Sequence, residues 1–132
     1  MVYLYAHDGN SWIPEAKLCP SNASETFGRF GSNVHLAGSS LLVAASEQIF
    51  DQGVPEYRGL VYEYRHSQGS WLEVGVIDRL DGRGYAGLGV SLAGDAEHTL
   101  IGAPGAPHPL TANPTGALFV LGSGSLFRDG FE

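Results

Sequence analysis

Short segments of alternating or continuous hydrophobic character run along most of the chain. Residues 34–37 and 90–93 alternate with the period of two that is typical of a strand. Residues 41–45 and 99–103 are instead apolar runs bounded by Gly, Ser and Pro. Such runs are too short for a helix and indicate strands that are buried on both faces. No window of ten or more residues has the i, i+3, i+4, i+7 apolar spacing of a helix, so the pattern predicts an all-β chain.

The same segments occur twice along the chain, about 59 residues apart. Residues 2–7, Val-Tyr-Leu-Tyr-Ala-His, recur at 61–66 as Val-Tyr-Glu-Tyr-Arg-His, and Trp12 is matched by Trp71. Later segments match at offsets of about 56 to 58 residues, as expected when the loops of a repeat differ in length. This self-similarity indicates a repeat architecture.

Each copy is predicted to contain four antiparallel strands, the first of which begins at a tryptophan. The strands of the two copies are 12–18, 34–37, 41–45 and 59–64, and 71–77, 90–93, 99–103 and 116–121. Residues 2–5 are predicted to form one leading strand. Four antiparallel strands with apolar inner strands describe a blade of a β-propeller, so we expect two blades, at about 12–64 and 71–121.

The turns and inner strands resemble the FG-GAP repeat, which forms the blades of integrin-α-type propellers and occurs in bacterial surface proteins. The family pattern runs Phe-Gly, a strand, Gly-Asp, Leu-Leu-Val-Gly-Ala-Pro, a loop, Gly and Val-Tyr-Val-Phe. The first copy has Phe30-Gly31, Leu41-Leu42-Val43-Ala44-Ala45-Ser46, and Gly59 with Val61-Tyr62. The second has Ala86-Gly87, Gly94-Asp95, Leu100-Ile101-Gly102-Ala103-Pro104, and Gly116 with Leu118-Phe119. The resemblance implies that residues 1–121 are an FG-GAP-like propeller segment.

The resemblance also implies a non-catalytic binding or structural module in an exported or cell-surface protein, acting in adhesion or in protein or glycan interaction. The alternative is a scaffold fragment of a propeller-borne hydrolase or lyase whose catalytic residues lie outside this chain. A third interpretation is a purely architectural spacer. The sequence has no G-x-S-x-G nucleophile elbow, and its five histidines lack metal-ligand spacing, so we expect no enzyme activity from the chain itself.

Charge and hydropathy argue against two classes of partner. Fourteen acidic residues against seven basic ones give a net charge of −7, whereas nucleic acids and anionic membranes are bound by clustered Lys and Arg. No apolar run approaches the ~20 residues of a membrane span. The N-terminus lacks the basic and apolar stretches of a signal peptide. We therefore expect any export signal, as the implied extracellular location requires, to lie upstream of this chain.

One connection differs between the two copies in a way that predicts binding. Residues 47–58 contain three acidic residues and Phe50, whereas the counterpart at 105–115 is Pro-rich and has no acidic residue. Because loops on a rigid scaffold commonly carry recognition, we expect the first connection to bind a ligand. The candidate ligand-binding residues are Asp51, Glu56, Tyr57 and Arg58. The alternative is that these charges are simply solvated.

No cofactor is expected, although calcium stays open as an alternative. Blades of the integrin type carry an Asp-x-Asp-x-Asp-Gly calcium loop, and neither copy contains it. The nearest acidic pair is Asp78 and Asp81, just before Gly82. Two carboxylates fall short of the six to eight oxygen ligands that calcium takes, so these residues are weak metal candidates.

Two blades and a leading strand cannot close a ring of the usual 4–8 blades. Each open blade face would leave on the order of several hundred Å² of apolar surface in water. The expected partners are therefore neighbouring propeller blades of a longer chain, or identical chains that assemble into one ring. Residues 122–132 are predicted to be a flexible Gly/Ser linker and a C-terminal tail.

Overall fold

In the computed structural model, the chain is described at residues 1–21, 29–51, 55–78, 87–95, 97–106, 110–111, 113 and 115–122, with the backbone alone at 47–51 and 55–58. These residues form nine strands and no helix, which confirms the all-β prediction. Every strand pair is antiparallel. The tail beyond residue 122 lies outside the described residues.

The strands form three sheets in which neighbours in sequence are also neighbours in space. The leading sheet contains β1 (Val2–His7) and β2 (Trp12–Leu18). The central sheet contains β3 (Phe30–Ala37), β4 (Ser40–Asp51), β5 (Pro55–Ser67) and β6 (Ser70–Ile77). The trailing sheet contains β7 (Leu92–Gly94), β8 (His98–Ala103) and β9 (Ala117–Gly122).

The strands that contain Trp12 and Trp71 come last in their sheets, whereas the sequence interpretation placed such a strand first in each unit. Strand β2 pairs with β1, and β6 pairs with β5. Tight turns cause this grouping. Gln68 and Gly69 both have positive φ, at 51° and 79°, as a two-residue turn between antiparallel strands requires. In the other hairpin, the Asp8 carboxylate accepts bonds from the backbone N–H groups of Asn10 and Ser11 at 2.8 and 2.7 Å.

The central sheet is covered on both faces by the other two sheets. Along β4, Leu41 and Val43 pack in a cluster with β1 and β2 of the leading sheet. The alternate residues Leu42 and Ala44 pack in a second cluster with the trailing sheet. This arrangement confirms that the apolar run at 41–45 is a strand buried on both faces, because successive side chains of a strand point to opposite sides.

The connection at 47–58 is not a loop over most of its length, which corrects the sequence prediction. Strands β4 and β5 continue as a paired ribbon to Asp51 and Pro55, beyond a bulge between Ala45 and Gln48. We call residues 47–58 the arm; residues 52–54 at its tip lie outside the described part. Within residues 47–58, glycine and proline occur only at Gly53 and Pro55. Residues 47–51 therefore contain no residue type that commonly breaks a strand. The equivalent strands β8 and β9 have no such extension over their described residues, because their pairing ends at Ala103 and Ala117.

Gly59 lets the central and trailing sheets approach closely. A Cβ atom at this position would collide with the backbone carbonyl and amide of Leu88. Leu88 is itself fully buried and belongs to the cluster between these two sheets. The absence of a side chain at residue 59 is therefore a condition for this packing.

Candidate functional site

The four predicted ligand-binding residues lie together on the arm, on two paired strands. Asp51 ends β4 opposite Pro55, and Glu56 lies opposite Phe50. Tyr57 and Arg58 follow on β5, opposite Ile49 and Gln48 respectively. These residues thus lie on one paired ribbon, rather than in the loop that the sequence predicted. A paired ribbon holds them in a more fixed relative position than a loop would.

Of the two candidate metal residues, the structure describes only Asp78. Asp78 directly follows β6 and is partly buried, whereas Asp81 lies outside the described residues. Within the part of the chain that the structure describes, no three His, Cys, Asp or Glu residues come together in a group that could hold a metal ion.

The outer face of the leading sheet carries a strip of exposed aromatic side chains. Tyr3, Tyr5 and Trp12 are 56%, 53% and 70% exposed. Trp12 lies opposite His7 at the end of the β1–β2 hairpin, with the ring centroids 4.9 Å apart. The alternate residues Val2 and Leu4 pack inward against the cluster shared with the central sheet. We call Tyr3, Tyr5 and Trp12 the aromatic face.

The repeat equivalents of the aromatic face are covered. Tyr62 and Tyr64 are 0% and 3% exposed, and Trp71 packs against the same cluster. The leading sheet covers them with Val2 and Leu4 of β1 and with Ala16 and Leu18 of β2. The same residue types at the same strand positions are therefore buried in one sheet and exposed in another, because only the former has a sheet packed over it.

The outer face of the trailing sheet is apolar and exposed in the same way. Leu118 and Val120 are 51% and 40% exposed. Leu100 lies opposite Val120 on the neighbouring strand, and Gly102 lies opposite Leu118. We call Leu100, Leu118 and Val120 the apolar face. The equivalent face of the central sheet contains Leu42, Ala44 and Val61, which are buried against the trailing sheet.

A polar contact ties the end of β2 to the central sheet. The Tyr64 hydroxyl donates to the carbonyl oxygen of Cys19 at 2.9 Å, and Glu73 Oε1 lies 3.2 Å from the same hydroxyl. Glu73 Oε1 also accepts a bond from the backbone N–H of Ser21 at 3.2 Å. Burial, followed by the nearby Glu73 carboxylate, raises the pKa of Tyr64 well above its usual value. The phenol is therefore a permanent hydrogen-bond donor, which suits a structural role rather than proton transfer.

A second polar pair lies within the central sheet. Glu63 is buried and accepts hydrogen bonds from Arg65 Nε and Nη2 at 3.2 and 3.1 Å. Its repeat equivalents are Leu4 and Val120, both apolar. Because a buried carboxylate needs such a partner, Arg65 acts as the counterion of Glu63.

Sequence reasoning foresaw that apolar faces would be exposed but did not assign residues to them. The signal was present, since Tyr3, Tyr5 and Trp12 each have an equivalent 59 positions later in the second copy. The Tyr64–Cys19 contact could not have been found in this way, because it joins residues 45 positions apart through a peptide carbonyl. No pattern of residue types marks such a carbonyl.

Comparison of this chain with protein-family models, with curated proteins and with solved structures found no match. The described residues contain no helix that is long and apolar enough to cross a membrane.

Proposed function

We propose that this chain is a segment of a β-propeller of the FG-GAP type that works as a non-catalytic binding module of an exported or cell-surface protein. The observation that carries the proposal is the face-to-face stack of three antiparallel sheets, with repeat-equivalent strands at equivalent positions. Stacked repeats of this kind provide a rigid support whose elaborations are free to vary. The leading, central and trailing sheets correspond to parts of three successive blades.

The arm is the part of this module that binds a protein or glycan ligand. It is an elaboration of the central sheet that the equivalent strands β8 and β9 do not share over their described residues. Its strands are fixed at their base by the buried residues Ala45 and Leu60, so the ribbon is held on the core. An element that is specific to one copy of a repeat, and is supported by the common scaffold, suits recognition.

Binding is tested on arrays of glycans and extracellular matrix proteins with the chain and two matched variants. Asp51→Ala/Glu56→Ala/Tyr57→Ala removes two acidic residues and one aromatic residue from the arm. Glu15→Ala/Glu97→Ala removes the same number of acidic residues from exposed positions outside the arm. We expect the arm variant to lose binding by at least about tenfold and the control to keep it.

A deletion of residues 47–58 that joins Ser46 to Gly59 through Asn-Gly removes the ribbon and retains the paired residues Ala45 and Leu60. Its binding should fall as far as that of the arm variant. Unchanged binding by the deletion variant would contradict the assignment of the arm. A chain that binds nothing on either array would instead favour the architectural spacer.

A further inference from the structure

We propose that the aromatic face of one chain docks on the apolar face of a second copy, so that the packing between sheets within one chain is repeated between chains. The partners in this contact are Tyr3, Tyr5 and Trp12 of one copy, and Leu100, Leu118 and Val120 of the other. The inference goes beyond the proposed function, because it requires no ligand and makes no use of the arm.

The internal repeat identifies what fits the aromatic face. Tyr3 and Tyr5 are equivalent to Tyr62 and Tyr64 of the central sheet. Within the chain, those two tyrosines are covered by the β1 residues Val2 and Leu4, which lie two positions apart on one strand. A small aliphatic pair at these strand positions is therefore the surface that covers a Tyr-x-Tyr strand in this protein.

The apolar face presents the same aliphatic pair. Leu118 occupies the strand position of Val61 and, one repeat earlier, that of Val2. Val120 likewise corresponds to Glu63 and to Leu4. The trailing sheet thus has exposed aliphatic residues where the leading sheet has the two residues that cover Tyr62 and Tyr64. The two exposed faces of the chain are therefore complementary to each other.

The exposed aromatic surface is comparable to the largest apolar patch of a typical soluble monomer. A Tyr or Trp side chain buries about 150–250 Å² when it is covered completely, so three that are more than half exposed leave roughly 300–400 Å² of aromatic surface in solvent. A monomer rarely exposes a larger apolar patch without using it. Because the contact joins two different faces, the assembly is head-to-tail, and it forms a ring if the rotation closes.

Paired variants test the docking directly. Tyr3→Glu/Tyr5→Glu places charges on the aromatic face, and Leu118→Glu/Val120→Glu places two on the apolar face. Leu72→Glu/Val74→Glu is the matched control, because these β6 residues are equally exposed but belong to neither face. Circular dichroism and thermal unfolding check that each variant keeps the fold, as expected for positions that are at least two-fifths exposed in the single chain.

Analytical ultracentrifugation over a wide concentration range should show that the unmodified chain and the control self-associate. Each face variant alone should be a monomer, with self-association weakened at least about tenfold. When the two face variants are mixed in equal amounts, one intact face of each kind remains. We therefore expect a dimer with one copy of each variant and nothing larger.

Two results would overturn the proposal. An unmodified chain that is monomeric at every concentration would show that these faces do not bind a second copy. A face variant that still forms dimers by itself, with no dimer in the mixture beyond those, would indicate a symmetric contact between like faces. Both readouts concern mass alone, so they are independent of whether the arm binds a ligand.

Discussion

The leading and central sheets carry the same Tyr-x-Tyr strand in opposite surroundings. Tyr62 and Tyr64 are almost completely buried, whereas Tyr3 and Tyr5 are more than half exposed. Each Tyr-x-Tyr strand is joined by a hairpin to a strand that carries a tryptophan near its start, although β5 also pairs with β4. The difference is the neighbouring sheet. One pattern therefore stabilises the fold in the central sheet and, in the leading sheet, is available for contact with another molecule.

The largest expected effect is a difference in the free energy of unfolding when equivalent tyrosines of the two sheets are replaced by alanine. Tyr62→Ala should lower the free energy of unfolding by about 3–5 kcal/mol, because it leaves a cavity between two sheets. Tyr3→Ala should change it by less than about 0.5 kcal/mol in the dilute chain. Urea denaturation of both variants gives the comparison. Similar losses in the two variants would show that burial does not distinguish these positions.

A smaller loss of stability is expected when the repeat-equivalent glycines Gly59, in β5, and Gly116, just before β9, are replaced. Gly59→Ala should cost about 2–3 kcal/mol, because the new methyl group forces the backbone of Leu88 to move. The equivalent Gly116→Ala should cost about 1 kcal/mol, from its positive φ of 83°, since its nearest neighbour is at ordinary contact distance. Urea midpoints measure both. The reverse order would mean that the sheets are not closely packed at Leu88.

Removal of the hydroxyl group from the equivalent tyrosines should produce a still smaller difference in stability. Tyr64→Phe loses the hydrogen bond to the Cys19 carbonyl and should cost about 1 kcal/mol. Tyr5→Phe, at an exposed position, should stay within about 0.5 kcal/mol of the unmodified chain. Thermal unfolding at low protein concentration is the measurement. An unchanged Tyr64→Phe would show that this bond does not hold the end of β2.

The smallest effect concerns the turns and depends on pH. Backbone N–H bonds from Ser11 and then Asn10 lower the pKa of Asp8 below its ordinary value of 3.8, and bonds from Glu97 and His98 do the same for Asp95. A lowered folded-state pKa means that the turn is fully stabilised above pH 3.8 and loses this stabilisation as the pH falls through the folded value.

Carbon-13 NMR of the carboxyl groups measures the two titrations. Both midpoints should lie below 3.8, and the β1–β2 turn should loosen in acid while the β5–β6 turn, which has Ser67 at the equivalent position, does not. A midpoint at or above 3.8 for Asp8 would contradict the hydrogen bonds of this turn.

Local sequence patterns predicted the strands well where burial constrains them. The apolar run at 41–45 must be buried on both sides, and the structure confirms it because β4 has a sheet over each face. The run at 99–103 is also a strand, but the prediction that both of its faces are buried is wrong, because only one of them has a sheet packed over it. The repeat itself was visible because equivalent strands need equivalent residues. The grouping of strands into sheets was harder to predict, since it depends on which connections are tight turns. The positive φ at Gln68 supplies information that strand periodicity does not contain.

The arm and the exposed faces were less predictable for a physical reason. Residues 47–58 show no strict alternation of apolar and polar residues, so the sequence pattern does not predict the paired strands found there. For the aromatic face, Tyr3 looks the same in sequence as its buried equivalent Tyr62. Only the stacking order of the sheets, which is a property of the whole fold, distinguishes the two residues.

The two tryptophans allow one measurement that tests this contrast directly. Trp71→Phe leaves Trp12 as the only fluorophore of its kind, and Trp12→Phe leaves Trp71. In dilute solution, acrylamide should quench Trp12 strongly and Trp71 weakly, because Trp12 is 70% exposed and Trp71 packs against the core. As the protein concentration rises, Trp12 should become protected while Trp71 stays unchanged. Equal quenching in dilute solution, or a Trp12 that is never protected, would contradict the account.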